Sequence, residues 1–419
     1  MDYFEYRDGI YHGEDVSLET IAATVGTPCY VYSRATLERH WHAFNDSFGD
    51  YPHTVYYAVK ANSNLAVLNV LARLGSSFDI VSIGELERVI HAGGRSEQVV
   101  FSGVGKRLDE IERAVDVGIQ CFNIETVAEL DRIESTAAAK SCVVNIAVRI
   151  NPDVDAGTHP YISTGLKENK FGLTADDAID VYRRAAASAH LNVSGVACHI
   201  GSQLTRMEPF EDAFARVLEF VGRLEGEGIS LDHIDFGGGL GVRYRDETPP
   251  HPTEYTERLV ACLKQHGVSL PVTIEPGRVI AANAGVFLTR IEYLKDTQAR
   301  NFAIVDGAMN DLIRPALYQS WQEVVSVRKA DKSVPQRTYD IVGPVCESAD
   351  FLGKERELAV RAGDLLAIRS AGAYGHVMSS NYNARPKPAE VMVDKDRFYV
   401  IRERETIEQM VAGEHLLPE

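Results

Sequence analysis

Residues Thr54–Ser82 read TVYYAVKANSNLAVLNVLARLGSSFDIVS. The first seven are mostly apolar and close on Lys60. Leu65–Leu74 then repeats apolar residues at helical spacing, Gly75 marks a helix stop, and Phe78–Ser82 is a second apolar run. The reading is strand, helix, strand. Continuously apolar runs, as opposed to alternating ones, belong to parallel strands covered on both faces. The unit recurs in runs ending near Ser102 (QVVFS), Glu125 (CFNIE), Ile150 (VVNIAVRI), His199 (VSGVACH), Phe236 (HIDF) and Glu275 (PVTIE). Amphipathic stretches such as Glu85–His91, Leu108–Val117 and Phe210–Leu224 lie between them. Eight strand–helix units predict a (β/α)8 TIM barrel over residues 30–285. An open doubly wound sheet would show GxGxxG after an early strand, and no such motif is present.

After Val286 the texture changes to short strand-like runs, among them FLTRIEYL, NFAIVDG, RTYDIVG and DLLAIRS. Similar pieces occur at Tyr3–Tyr6 and Gly9–Tyr11. Residues 1–29 and 286–419 therefore read as a second, β-rich domain of sandwich or barrel type.

The chain has 419 residues, and Lys plus Arg (43) against Asp plus Glu (60) leaves a net charge of −17. That balance argues against a nucleic-acid footprint or an anionic membrane as partner. With 45% hydrophobic and 25% charged residues, disorder is excluded. No apolar run reaches the roughly 18 residues that span a bilayer. Met1–Ile10 lacks the apolar core of a signal peptide. The six cysteines form no CxxC pair and read as reduced thiols of a cytoplasmic protein. No HExxH is present and the histidines do not cluster with cysteines at zinc spacing, so no metal is expected.

Barrel active sites sit at the C-terminal ends of the strands, which here carry Lys60, Ser82, Ser102, Glu125, His199 and Glu275. A lysine at such an end either snorkels to the rim or is desolvated, neutral and nucleophilic, the state that forms Schiff bases. Gly237-Gly238-Gly239 directly after a strand is a flexible turn or a backbone cradle for a phosphate. In Glu275-Pro276-Gly277-Arg278, the acid and the guanidinium are a structural ion pair, or they hold a ring nitrogen and an anion. His199 and Ser202 are rim residues, or a stacking partner and a phosphate donor. Cys346-Glu347, in a turn-rich loop, is a weak candidate for proton transfer.

Together these segments are more specific than any one alone. The chain resembles the fold-type III pyridoxal-phosphate-dependent decarboxylases from about Tyr6 to Val393. The resemblance is carried by YAVKAN (Tyr57–Asn62), HPYISTGLKENKFG (His159–Gly172), CHIGSQ, DFGGGLG, EPGR, MNDLIRPALY (Met309–Tyr318), GPVCESADF and SAGAYGHVMSSNYNARPKPAEV. It implies an alanine-racemase-like barrel and pyridoxal 5'-phosphate as cofactor. Lys60 would carry the cofactor and His199 would stack on its ring. Ser202, Gly237, Gly238, Gly239, Gly277 and Tyr374 would hold its phosphate, with Arg278 beside it, and Glu275 would pair with the ring nitrogen. Arg278, Arg314 and Tyr318, with Tyr374, would bind a carboxylate at the far end of the substrate, and Glu347 an amino group there. Cys346 would deliver a proton, or Lys60 would. Cys346 and Glu347 would come from the partner subunit of a homodimer with shared active sites.

The two arginines and the tyrosine make sense only for a substrate with a distal carboxylate. The resemblance therefore implies decarboxylation of meso-2,6-diaminopimelate to L-lysine, the last step of lysine biosynthesis. The alternative is a relative acting on ornithine, arginine or carboxynorspermidine. Two positions depart from the family pattern. Ile83 stands in Ser82-Ile83-Gly84-Glu85-Leu86 where the family has Gly. Ala349 replaces Gly beside Glu347, which would strain the loop by about 1 kcal/mol or more if that position needs positive φ.

Overall fold

The computed structural model describes residues 2–154, 170–331 and 333–419. Most of the HPYISTGLKENKFG motif, residues 159–169, lies outside the described residues. The chain forms two compact units: Glu38–Arg243 with Glu247–Val279, and the chain up to Leu37 with Tyr244–Asp246 and Ile280–Glu419.

The first unit is a closed barrel of eight strands in chain order: β1 (His53–Ala58), β2 (Ser77–Ile80), β3 (Val99–Phe101), β4 (Cys121–Ile124), β5 (Val144–Arg149), β6 (Leu191–Ala197), β7 (His233–Asp235) and β8 (Val272–Ile274). All pairs are parallel, and β8 closes on β1 with Val272 opposite His53 and Ile274 opposite Val55. Each strand falls on one of the apolar runs of the sequence. The burial explains their texture: Tyr56, Tyr57, Phe78, Ile80, Phe101, Ile124, Ile146 and Ile234 are all sealed from solvent. Helices return after each strand, and side chains of the preceding loops cap several. Asn64 accepts from Ala66 N–H, Ser82 from Glu85 N–H and Thr126 from Glu129 N–H. Gly75, Gly93 and Gly118 end three helices with φ of +87°, +85° and +66°.

The second unit is β-rich. A nine-stranded sheet is centred on the long strand Gly285–Asp296, which pairs antiparallel with Cys29–Ser33, Asn301–Val305 and Leu365–Ile368. Ala389–Asp394 runs parallel to Cys29–Ser33 on the far side. Phe4–Arg7, Ile10–Gly13 and Val16–Ser17 form a small antiparallel sheet, as the strand-like pieces of the N-terminus predict. Two apolar clusters build the cores, one around Tyr30, Phe287 and Ile341, the other around Leu18, Val31 and Leu288. Among the described residues no helix is long and apolar enough to cross a membrane.

Candidate active site

Of the six polar strand ends, four line one cavity at the C-terminal mouth of the barrel. Lys60, Ser102, His199 and Glu275 share about 180 Å³ with Asn123, Arg149 and Phe171. The other two have supporting tasks. Ser82 is the N-cap described above. Glu125 Oε1 pairs with Arg149 Nη1 at 3.0 Å, and its Oε2 accepts from Gly172 N–H.

Lys60 does not end its strand. It lies in a 3-10 turn, Val59–Ala61, just beyond β1. Nor is it simply desolvated: its side chain is 35% exposed, and Nζ sits 2.8 Å from Oδ2 of the fully buried Asp79. The register places Asp79 opposite Ala58, two residues before the lysine. A carboxylate within an apolar strand was the signal that could have found it. Asp235, in β7, was missed for the same reason. Its side chain is hydrogen-bonded to Glu275 and accepts from Gly237 N–H at 2.8 Å.

Asp79, Asp235 and Glu275 thus act on one another, with Lys60 beside Asp79. Burial first, then the neighbouring Asp235 and Asp79, push Glu275 well above the usual carboxylate range. Burial raises Asp235 to about 6. Their mutual bond favours the proton on Glu275, which donates to Asp235. His199 is driven the other way. Burial, with Arg149 and Lys60 nearby, holds it well below the ordinary imidazole range, so the ring is neutral. Gly238 N–H donates to its Nδ1 at 3.1 Å, which puts the ring proton on Nε2.

The glycine run is required sterically. A Cβ on Gly237 would lie 2.3 Å from Cys198 O, on Gly238 2.2 Å from Glu275 O, and on Gly239 2.6 Å from Gly201 O. Gly237 and Gly239 also have φ of +65° and +119°. The N–H groups of Gly237 and Gly238 are spent within the fold, on Asp235 and His199. The expected three-glycine cradle therefore narrows to the Gly239 N–H, which among the described residues donates no hydrogen bond. A Cβ on Gly277 would lie 3.0 Å from those of Ala58 and Ala61. Ser202 Oγ accepts from Arg278 Nε and Nη2 at 3.3 and 3.0 Å, so the serine and the buried arginine are brought together.

The second unit holds the remaining candidates. Arg314 opens the helix Arg314–Tyr318 and is 6% exposed, with Tyr244 and Tyr318 rings 5.1 and 5.9 Å from its guanidinium carbon. Tyr374 has φ of +54° between Gly372 and Gly375, where a Cβ would meet Ala281 O at 2.0 Å and Ala371 O at 2.4 Å. Cys346 and Glu347 are exposed on their loop. Ala349 does not adopt positive φ, so the strain anticipated there is absent. Its carbonyl accepts from Phe351 N–H at 2.8 Å. Ile83 is likewise unstrained, as the first residue of the helix Ile83–His91.

A barrel cavity with a lysine, a neutral histidine and a buried acid pushed toward protonation suits a pyridoxal-binding enzyme. Residues 34–282 match the family described as "Pyridoxal-dependent decarboxylase, pyridoxal binding domain". Within that class, the chain is 58% identical to diaminopimelate decarboxylase of Vibrio cholerae over 100% of both chains. It is also 58% identical to that of Pseudomonas aeruginosa, again over 100% of both. The crystal structure of diaminopimelate decarboxylase from M. jannaschii in co-complex with L-lysine matches with a TM-score of 0.95 and 36% identity, covering 100% of this chain and 98% of that one. The chain belongs to the diaminopimelate decarboxylase family.

The residues present fit pyridoxal phosphate as the cofactor. Asp79 Oδ1 and Asn123 Oδ1 are buried acceptors without a hydrogen-bond partner in the cavity region. The glycine run leaves backbone close to the strand ends without side chains in the way.

Proposed function

We propose that this chain releases CO2 from meso-2,6-diaminopimelate and yields L-lysine, the closing step of lysine biosynthesis. The observation that carries the choice of substrate is Arg314, a 6% exposed residue whose guanidinium lies between the Tyr244 and Tyr318 rings. A largely desolvated guanidinium held in place by two rings suits a ligand that brings a carboxylate. Ornithine lacks a distal carboxylate.

Pyridoxal phosphate, when bound, supplies the electron sink that lets the bond from Cα to its carboxylate break. The chain's own residues do the rest. Lys60 would hold the cofactor covalently, and His199, neutral, would pack against its ring. Glu275, oriented by Asp235, would bond to its ring nitrogen. Ser202, Arg278, the N–H groups of Gly239 and Gly277, and Tyr374 would hold its phosphate. Arg278, Arg314 and Tyr318 bind the distal carboxylate and Glu347 the distal amine. Cys346 or Lys60 delivers the proton that takes the place of the departing carboxylate at Cα.

The active form in this reading is a cytoplasmic homodimer in which Cys346 and Glu347 serve the partner's barrel. The free state of all six cysteines supports the compartment. The exposure of Cys346 and Glu347 supports the sharing. Mixing Lys60→Ala chains at equal amounts with chains carrying Cys346→Ala and Glu347→Ala together, each inactive alone, should restore about a quarter of wild-type activity, because half of the dimers then own one intact site. No restoration would place each site within one chain.

The deciding experiment is CO2 release by the cofactor-loaded protein from meso-diaminopimelate, with ornithine and arginine in parallel and chiral analysis of the product. L-lysine from diaminopimelate alone supports the reading. Release from ornithine or arginine instead overturns the substrate.

A further inference from the structure

The segment Asn381–Ala384 carries chemistry that none of these roles uses. Tyr382 Oη donates to Glu347 Oε1 at 2.5 Å, and Cys346 N–H donates to Asn383 Oδ1 at 2.9 Å. Consecutive residues reach toward consecutive residues. The backbone that aims them is unusual, since Asn383 and Ala384 both adopt left-handed conformations, with φ of +57° and +52°. Such conformations persist outside glycine only where the surroundings impose them.

Here the surroundings do. Ser380 N–H donates to Asn310 O at 2.9 Å, Asn310 Nδ2 returns a bond to Ser380 O at 3.3 Å, and Arg385 Nε donates to Asn310 Oδ1 at 3.0 Å. Asp350 ties the same stretch to the Cys346 loop, accepting from Met309 N–H and Val345 N–H at 2.7 Å each. The loop with Cys346 and Glu347, the stretch leading into the Arg314 helix, and the Asn381–Ala384 segment are thus interlocked by hydrogen bonds. The ordering falls on the Glu347 carboxylate and on the backbone N–H of Cys346, both on an exposed loop.

We propose that Tyr382 and Asn383 are positioning residues for recognition of the substrate's distal ammonium. Tyr382 fixes the Glu347 carboxylate, so that Oε1 is anchored by the phenol and Oε2 is presented to the ammonium. Asn383 fixes the backbone of the Cys346-Glu347 pair. The proposal rests on the reading that Glu347 binds the distal amine. Its physical basis is preorganisation: a glutamate on a solvent-exposed loop loses rotamer freedom when it binds a cation, and a standing hydrogen bond removes part of that cost beforehand. The adjacent carboxylate also pushes the Tyr382 phenol up, which keeps it protonated, as a donor must be.

The test compares the wild-type holoenzyme with Tyr382→Phe, Asn383→Leu, Asn383→Asp and Glu347→Gln. Each is assayed on meso-diaminopimelate and on racemic 2-aminoheptanedioate, which keeps the distal carboxylate and lacks the distal amine. The second compound is read as a substrate or, by its inhibition constant, as a competitor. Tyr382→Phe should raise KM for diaminopimelate about tenfold with kcat within about twofold, and leave the constants for 2-aminoheptanedioate unchanged. Asn383→Leu should raise the same KM, and Asn383→Asp, which keeps an acceptor on the same branch and tolerates the left-handed backbone, should restore it. Equal losses on both compounds would mean a merely structural role and overturn the proposal. An unchanged KM in Tyr382→Phe together with a raised one in Glu347→Gln would overturn the positioning alone. If Glu347→Gln leaves KM unchanged, the reading of Glu347 falls and takes the proposal with it.

Discussion

Lys60→Ala is expected to lower CO2 release by about a thousandfold or more, since one amine is asked both to hold the cofactor and to exchange with the substrate. The neighbourhood shows why no other group substitutes. The other polar side chains lining the cavity are those of Ser102, Asn123, Arg149, Cys198, His199 and Glu275, none of them a second primary amine. Removing the lysine also takes a partner from the buried Asp79, so part of any loss in a simple alanine variant is structural. Lys60→Arg separates the effects. It keeps a cation beside Asp79 but has no amine able to add to an aldehyde. Thermal melting should therefore show Lys60→Arg close to wild type and Lys60→Ala lower, while both lack turnover and the visible absorbance of the covalently held cofactor. Turnover by Lys60→Arg above about a tenth of wild type would show that the ion pair is what matters.

The second large effect is at the opposite end of the substrate. Arg314→Ala should reduce kcat/KM for meso-diaminopimelate by about a hundredfold to a thousandfold, the usual cost of truncating one member of a desolvated charge pair. The same change should weaken inhibition by L-lysine, whose retained amino-acid head carries the carboxylate in question. It should leave inhibition by 1,5-diaminopentane, which has no carboxylate, nearly unaltered. The rings of Tyr244 and Tyr318 flank the guanidinium, so an alanine leaves a gap between two aromatic faces. Melting curves would report any loss of packing separately from the loss of recognition. Equal weakening for all three ligands would remove Arg314 from substrate recognition.

The chemistry of the barrel mouth depends on opposed environments for similar groups. Glu275 is pushed toward its protonated form by burial and by two acid neighbours, while His199 is pushed toward neutrality by burial and by two cations. A protonated acid and an unprotonated imidazole at the same pH suit the roles proposed for them, a bond to a ring nitrogen on one side and an uncharged face on the other.

Much of this was legible before any coordinates. Periodicity sufficed for the eight strands, because a strand buried on both faces selects mostly apolar residues: Val55–Ala58, Phe78 and Ile80 are all buried. Strand-end position sufficed to bring Lys60, Ser102, His199 and Glu275 to one cavity, since residues at strand ends of a barrel converge whatever lies between them. The glycine run was legible as a close approach, and the coordinates added the atoms it approaches.

Other features were decided only in three dimensions. Asp79 and Asp235 are single polar letters inside apolar runs, and nothing local says that one meets Lys60 and the other Glu275. Those partners depend on parallel register and on which side of the pleat faces the barrel interior. Ser82 and Glu125 looked equivalent to Ser102 and Glu275, but helix capping and an arginine from the next strand claim them. Ala349 looked strained because a family position was glycine, yet φ is set by how the loop closes onto Asp350 and not by residue type. The Tyr382–Glu347 and Asn383–Cys346 contacts join residues more than thirty apart. The sequence alone determined which elements form and which side chains the strand ends carry, because those follow from local burial and spacing. Which charges pair, which protons are held and which loops are locked required the tertiary structure, because Coulomb and hydrogen-bond energies depend on distances that only the closed fold sets.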